Sequence, residues 1–234
     1  MTSPSARLAG FARPPRLAAL CDRLVPWAGG LFVLCLAAAL VYALAVAPPD
    51  YRQGEAVRIL ALSLPAAWMA VAVYVLAALL GAAGLTRDRP LVFAAARAAL
   101  APGAAFALIA VAAHVLWGRP AWNAWWEWDG RSAFLVLLLL LYLGAGLPAR
   151  DGDSRRLALL LAAGALALPF LRIATDWWVA LHRPEGVLPL GDEPGDAADP
   201  LALILMLGAF KAWFLTVWLM RFSAALPRGP EGSP

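Results

Sequence analysis

Six stretches of this chain, each 17 to 26 residues long, carry almost no charge, and that pattern limits the possible folds more than any other feature. A helix needs about 20 mostly apolar residues to cross about 30 Å of hydrocarbon, and soluble cores do not supply such runs repeatedly. The chain is 63% hydrophobic and 15% charged, too few charges to cover a water-facing surface, where about 25% is usual. We expect an all-α integral membrane protein, a bundle of six transmembrane helices forming one polytopic domain over residues 1–234. Six spans in 234 residues leave little for a separate soluble domain.

The spans are placed at about 27–47, 60–85, 98–116, 131–147, 157–173 and 201–220. The first ends at Pro48-Pro49, the second at a charged turn around Arg87–Pro90, and the fourth at Pro148. The first hydrophobic run is too long for a signal peptide and no cleavage pattern follows it, so it reads as an uncleaved span. Cys21 and Cys35, at or within that run, make a disulfide framework an unsuitable reading. Arg97 is expected to snorkel to the inner interface. Lys211 falls inside the sixth span, where a charge is costly and calls for a neighbouring helix or carbonyl.

The arginines set the orientation, because cytoplasmic segments carry the excess of basic residues. With these spans, twelve arginines fall on one side and six on the other, which places both termini in the cytoplasm. The net charge of +4 is thereby read as orientation charge rather than as a nucleic-acid patch. The outer segments are then about 48–59, 117–130 and 174–200.

One outer segment, 117–131, holds Trp117, Trp122, Trp125, Trp126 and Trp128, five tryptophans in twelve residues. Trp177 and Trp178 stand at the same face beyond the fifth span. An interfacial aromatic belt would be shared among spans and between both faces. A cluster in a single loop, mixed with Arg119, Glu127, Asp129 and Arg131, offers flat apolar area with a few polar handles, as sites for planar ligands do. The two histidines of the chain, His114 and His182, lie beside these tryptophans. Each reads either as an interfacial hydrogen-bonding group or as a ligand for a metal or haem iron.

The segment resembles the WWD domain of haem-handling membrane proteins through Trp117, Gly118, Trp122, Trp125, Trp126, Trp128, Asp129 and Arg131, with Asn123 standing where that pattern has glycine. Tyr142 and Gly144 continue the likeness. Chain length and six spans favour the cytochrome c maturation protein C (haem exporter protein C) family, as do Leu64–Met69 and Trp177–His182; the resemblance covers about residues 55–185.

That resemblance implies a bacterial inner-membrane protein with a periplasmic WWD loop. It implies b-type haem, transiently bound by the loop and two flanking histidines and passed to the periplasmic haem chaperone CcmE. The implied partners are CcmE, the CcmA–CcmB ATPase and the small membrane subunit CcmD. The chain itself has no P-loop and is read as a delivery component rather than an enzyme. His182 matches one family ligand position, but Ser63 occupies the other. Three readings follow: His114 supplies the second ligand; the site is five-coordinate or borrows water, Met69 or a partner residue; or normal haem transfer is lost.

The expected site is haem against Trp117, Trp122, Trp125, Trp126 and Trp128, with His182 on iron and propionates on Arg119, Arg131 or Arg183, while Asp129 shapes the loop through Arg131. The competing functions are a membrane scaffold that docks a partner without haem and a larger type of WWD synthetase that attaches haem directly.

Overall fold

The computed structural model of the chain describes residues 14–49, 54–87, 89–128, 130–182 and 199–227. Those residues form six long helices: α1 Pro14–Val41, extended by a π-helical turn Tyr42–Val46, α2 Val57–Arg87, α3 Pro90–Trp122, α4 Gly130–Asp151, α5 Ser154–His182 and α6 Pro200–Ala225. Five of them (α1 with its π turn, α2, α3, α4 and α6) are long and apolar enough to cross a membrane by length and composition. The chain is a multi-pass helical membrane protein. The expected fifth span, 157–173, lies in α5, some of whose side chains there fall outside the described residues.

Every helix outlasts the apolar stretch that announced it. The first begins at Pro14 rather than Trp27, and the third runs from Pro90 to Trp122 rather than from 98 to 116. Hydropathy marks only the part of a helix that suits hydrocarbon; the backbone continues until a cap or a breaker ends it. Proline is a weak breaker here. Pro148, expected to stop the fourth span, lies inside α4, which continues to Asp151. Pro26, Pro65, Pro102, Pro120 and Pro169 also lie within helices. Transmembrane helices tolerate proline because neighbouring groups re-satisfy the freed carbonyl.

Antiparallel neighbours α2–α3, α3–α4, α4–α5 and α2–α5 close a four-helix unit, and two tyrosines lock its centre. Tyr142 of α4 is fully buried, donates to the Ala70 carbonyl of α2 at 2.6 Å, and lies where a Cβ on Gly103 of α3 would stand. Tyr74 of α2 fills the corresponding space at Gly164 of α5. The two rings meet edge to face with centroids 5.1 Å apart. Small residues at helix interfaces let backbones approach in lipid, where no hydrophobic force drives helices together. In this bundle the glycines make room for aromatic rings instead.

Helix α6 packs on that unit through Phe106, which meets Phe210 and Trp213, and through Trp218, whose Nε1 donates to the Ala95 carbonyl at 3.0 Å. Helix α1 is peripheral and packs chiefly on α6. Cys21 and Ala28 meet Leu219, and Ser223 Oγ donates to Asp22 Oδ1 at 2.6 Å. Both cysteines are free thiols.

The ends of the helices are tied by polar contacts. Arg97, expected to reach the interface, donates to the Gly152 carbonyl at 2.9 Å and Ser154 Oγ at 2.6 Å, fixing the α4–α5 turn. Asp199 caps α6 by accepting from the amides of Leu201 and Ala202, and it also accepts from the Tyr42 hydroxyl at 3.3 Å. The π turn closes with Ala47 N–H donating to the Tyr42 carbonyl, five residues back. Within that turn the Leu44 carbonyl accepts from Arg58 of α2.

Candidate functional site

The tryptophan-rich segment is only half a loop. Helix α3 continues through Trp117, Gly118 and Pro120 to Trp122, so only Asn123–Trp128 and residue 129 separate it from α4. Asn123 ends α3 in the left-handed conformation, φ 56°, its amide donating to the Arg119 carbonyl at 3.1 Å. Glycine and asparagine are the two residues that take this conformation most readily at a helix C-terminus. Asn123 therefore stands in a conformation that glycine, the residue of the WWD pattern at this place, also adopts readily.

Beyond Asn123 the chain doubles back on α3. A Cβ at Gly118 would stand 2.8 Å from the Ala124 carbonyl oxygen and 3.3 Å from that of Trp125, closer than a side chain allows. Gly118 is thus a contact glycine, a role that spacing alone did not reveal. The fold-back lays Trp126 edge-on against His114, with ring centroids 5.6 Å apart and planes at 78°. Trp128 packs edge-on to Trp126 at 5.2 Å, and Trp117 stands 6.3 Å from His114. Ser132 Oγ, at the start of α4, donates to the Glu127 carbonyl at 2.9 Å and anchors the far end of the segment.

The result is a graded aromatic surface. His114 is 2% exposed and lies beneath Trp126, whereas Trp125 and Trp128 are 59% and 67% exposed. Trp117 packs at half depth against Val57 and Leu60 of α2, a cluster that Leu64 of α2 and Leu203 of α6 also cover. The Arg119 guanidinium lies over the Trp125 ring at 5.8 Å and donates to the Asn123 carbonyl at 3.2 Å. Such cation–π contacts orient an indole face without removing the charge. The indole N–H of Trp126 is buried and has no hydrogen-bond partner among the described residues, leaving a donor for an incoming acceptor. Arg131 is exposed at the start of α4.

Helix register places the histidines and Ser63. Across α2–α3, Gly84 meets the Phe93 ring; twenty-one residues from each toward the tryptophan-rich end lie Ser63 and His114. The two therefore stand at one level, and both are buried. Across α2–α5, Gly81 meets Ala158 and Gly164 meets Tyr74. On that register His182, the last residue of α5, lies roughly 10 Å beyond the level of Ser63 and His114, at 1.5 Å per residue. The side chains of Trp122, Trp177, Trp178 and His182, together with Asp129 and Arg183, lie outside the described residues. Of the expected site, the structure brings together His114, Trp117, Trp126 and Trp128, and separately Arg119 with Trp125.

Comparison with known proteins gives this geometry its setting. A family model described as "Heme exporter protein C" matches residues 7–229. The chain is 37% identical over 217 residues to the heme exporter protein C of Bradyrhizobium diazoefficiens, covering 91% of this chain and 82% of that protein. It is 35% identical over 179 residues to the Escherichia coli protein of the same name, covering 74% and 73% of the two chains. A ccmC-like mitochondrial protein of Marchantia polymorpha, described as putative in cytochrome c biosynthesis, is 31% identical over 155 residues, with 66% and 68% covered. Helices suited to a membrane, the folded-back tryptophan segment and these matches agree, and the chain belongs to the heme exporter protein C family.

Proposed function

We propose that the protein handles haem for the maturation of c-type cytochromes, binding it at the outer face of a bacterial inner membrane and presenting it to a periplasmic chaperone of the CcmE type. The observation that carries this reading is the fold-back at Gly118. It turns a tryptophan-rich sequence into an aromatic shelf, half buried and half exposed, at the end of the bundle where His182 closes α5. Membership of the heme exporter protein C family supplies the cargo.

In this reading six helices cross the membrane with both termini in the cytoplasm. Haem lies against the indole faces of Trp125 and Trp128, with Trp117 and Trp122 as walls and His182 as the axial ligand of iron. Arg119, Arg131 and Arg183 are the available partners for the propionates, because guanidinium binds carboxylate in paired geometry. Asp129 holds the segment in shape beside Arg131. Trp126 Nε1, buried and without a partner among the described residues, suits a carboxylate or other acceptor that arrives with the cargo. His114 is either the second iron ligand or the support of Trp126. Its burial beneath that indole, a level deeper than His182, favours support. The chain acts as a delivery component, with CcmA–CcmB as the ATPase and CcmD as an accessory subunit.

The test is the absorption spectrum of the detergent-purified protein, as isolated and after dithionite, beside His182→Ala. We expect a Soret band in the wild type and a several-fold lower haem content in the variant, with unchanged protein in the membrane. Full haem loading of His182→Ala would remove His182 from the iron. A wild type without a Soret band, even after haem supplementation, would leave the second reading: a scaffold whose aromatic shelf docks a protein partner. The buried serine at position 63, where the resemblance implies a ligand, is the observation in favour of that second reading.

A further inference from the structure

Lys211 lies near the centre of α6 and is exposed. Eleven residues separate it from Pro200 and ten from Arg221, so about 15 Å of helix extends on either side at 1.5 Å per residue. That is half of the roughly 30 Å of hydrocarbon a spanning helix must cross. A lysine side chain is too short to carry its ammonium to either interface from this depth, and a charge at mid-bilayer is retained when something pairs with it. Among the described residues no carboxylate forms an ion pair with Lys211; the ion pair found there is Arg58 with Glu55.

The surroundings of Lys211 are ordered. Leu201, Ile204, Gly208, Lys211 and Leu215 follow one another at spacings of three and four residues, the seam by which one helix packs along another. Leu201, Ile204 and Leu215 are exposed large side chains, and nothing lies within 4 Å of where a Cβ on Gly208 would stand. Two other flanks of α6 meet neighbouring helices along its length. One flank meets α1 through Leu219 and Thr216, and the opposite flank meets α3 through Phe210, Trp213 and Trp218.

We propose that this seam docks a transmembrane helix of a second, different membrane protein. That helix carries an aspartate or glutamate at mid-bilayer opposite Lys211 and a side chain that enters the notch at Gly208. Lipid chains would fill the notch but bring no counter-charge. A second copy of this chain, packed through the same seam about a two-fold axis, would set Lys211 against Lys211. Charge complementarity therefore selects a partner of a different sequence with an intramembrane carboxylate. The proposal does not depend on the haem reading, since no residue of the aromatic shelf takes part.

The experiment replaces Ile204 or Leu215 with a photo-crosslinking phenylalanine analogue in the full chain, in its native membrane. Leu147, exposed on α4, carries the probe in the control. We expect both seam probes, and not the control, to capture one polypeptide whose spanning helix holds a carboxylate at matching depth. Lys211→Leu should lower the yield several-fold at unchanged membrane levels, with Lys211→Gln as the alternative neutral variant if leucine alters those levels. Charge reversal on both sides, Lys211→Glu with the partner's carboxylate changed to lysine, should restore it. The proposal is overturned by capture of lipid alone, by capture of a second copy of this chain, by a yield indifferent to Lys211→Leu, or by failure of the double reversal to restore it.

Discussion

At the scale of single residues, Ser63 and His114 carry the sharpest expectations. They stand at one level across the α2–α3 pair and both are buried, so Ser63→His puts a second imidazole at the depth of His114. If haem reaches this depth, Ser63→His should tighten its retention and shift the absorption bands toward a six-coordinate pattern; an unchanged spectrum would place the iron nearer the level of His182. His114→Ala separates the two roles of that residue. As a support for Trp126, its loss lowers haem content while the Soret maximum stays in place; as a ligand, its loss moves the maximum. The tryptophans were legible in the sequence because five fall so close together. The role of Gly118 was not, because nothing in a Trp-Gly-Arg run says that a carbonyl from six residues later will rest on it. Asn123 carried a readable signal, being one of the two residues suited to a left-handed cap.

The elements show where reading by hydropathy stops. But for Ala47, all six apolar stretches fall inside helices, and those helices run past Trp27, Leu116 and Pro148. Apolar windows cannot register the polar turns by which a helix leaves the bilayer, and proline breaks a helix less readily where neighbours cover the carbonyl it leaves free one turn earlier. The partners of each helix were also unreadable, since they depend on pairs such as Tyr142 with Gly103 and Tyr74 with Gly164 that lie far apart in the chain. These pairs are testable by thermal unfolding in detergent. Tyr142→Phe keeps the ring and loses the hydrogen bond to Ala70, which should cost about 1 kcal/mol. Gly103→Leu should cost more, about 3 kcal/mol or above, because the ring of Tyr142 already occupies the space. At the aromatic shelf, Gly118→Val should leave unfolding of the bundle nearly unchanged while lowering haem content, because the atoms nearest a Cβ there belong to Ala124 and Trp125 of the fold-back. A large fall in melting temperature would show instead that the fold-back braces the helices.

For the molecule as a whole, the arginine asymmetry makes a prediction independent of the site. Alkaline phosphatase fused within 123–128 should be active, and fluorescent protein fused after Pro227 should fluoresce, if the tryptophan-rich end faces the periplasm. The reverse pattern would invert the topology and move the aromatic shelf to the cytoplasm. The packing order of the helices has a further consequence, in the order of synthesis. The first helix to leave the ribosome, α1, finds its principal neighbour in α6, the sixth and last. The middle four can close on their tyrosines while the chain is still being made, whereas α1 must wait in the bilayer through the translation of more than 150 residues before Cys21, Asp22 and Ala28 meet Leu219 and Ser223. Domains fold as their chain emerges, and contacts of long sequence separation form late. A nascent chain arrested before Pro200 therefore holds a four-helix unit and a first helix tied to it only near the π turn, through Arg58 and Leu44, its remaining length open for that interval to quality-control proteases and to any membrane neighbour that recognises it.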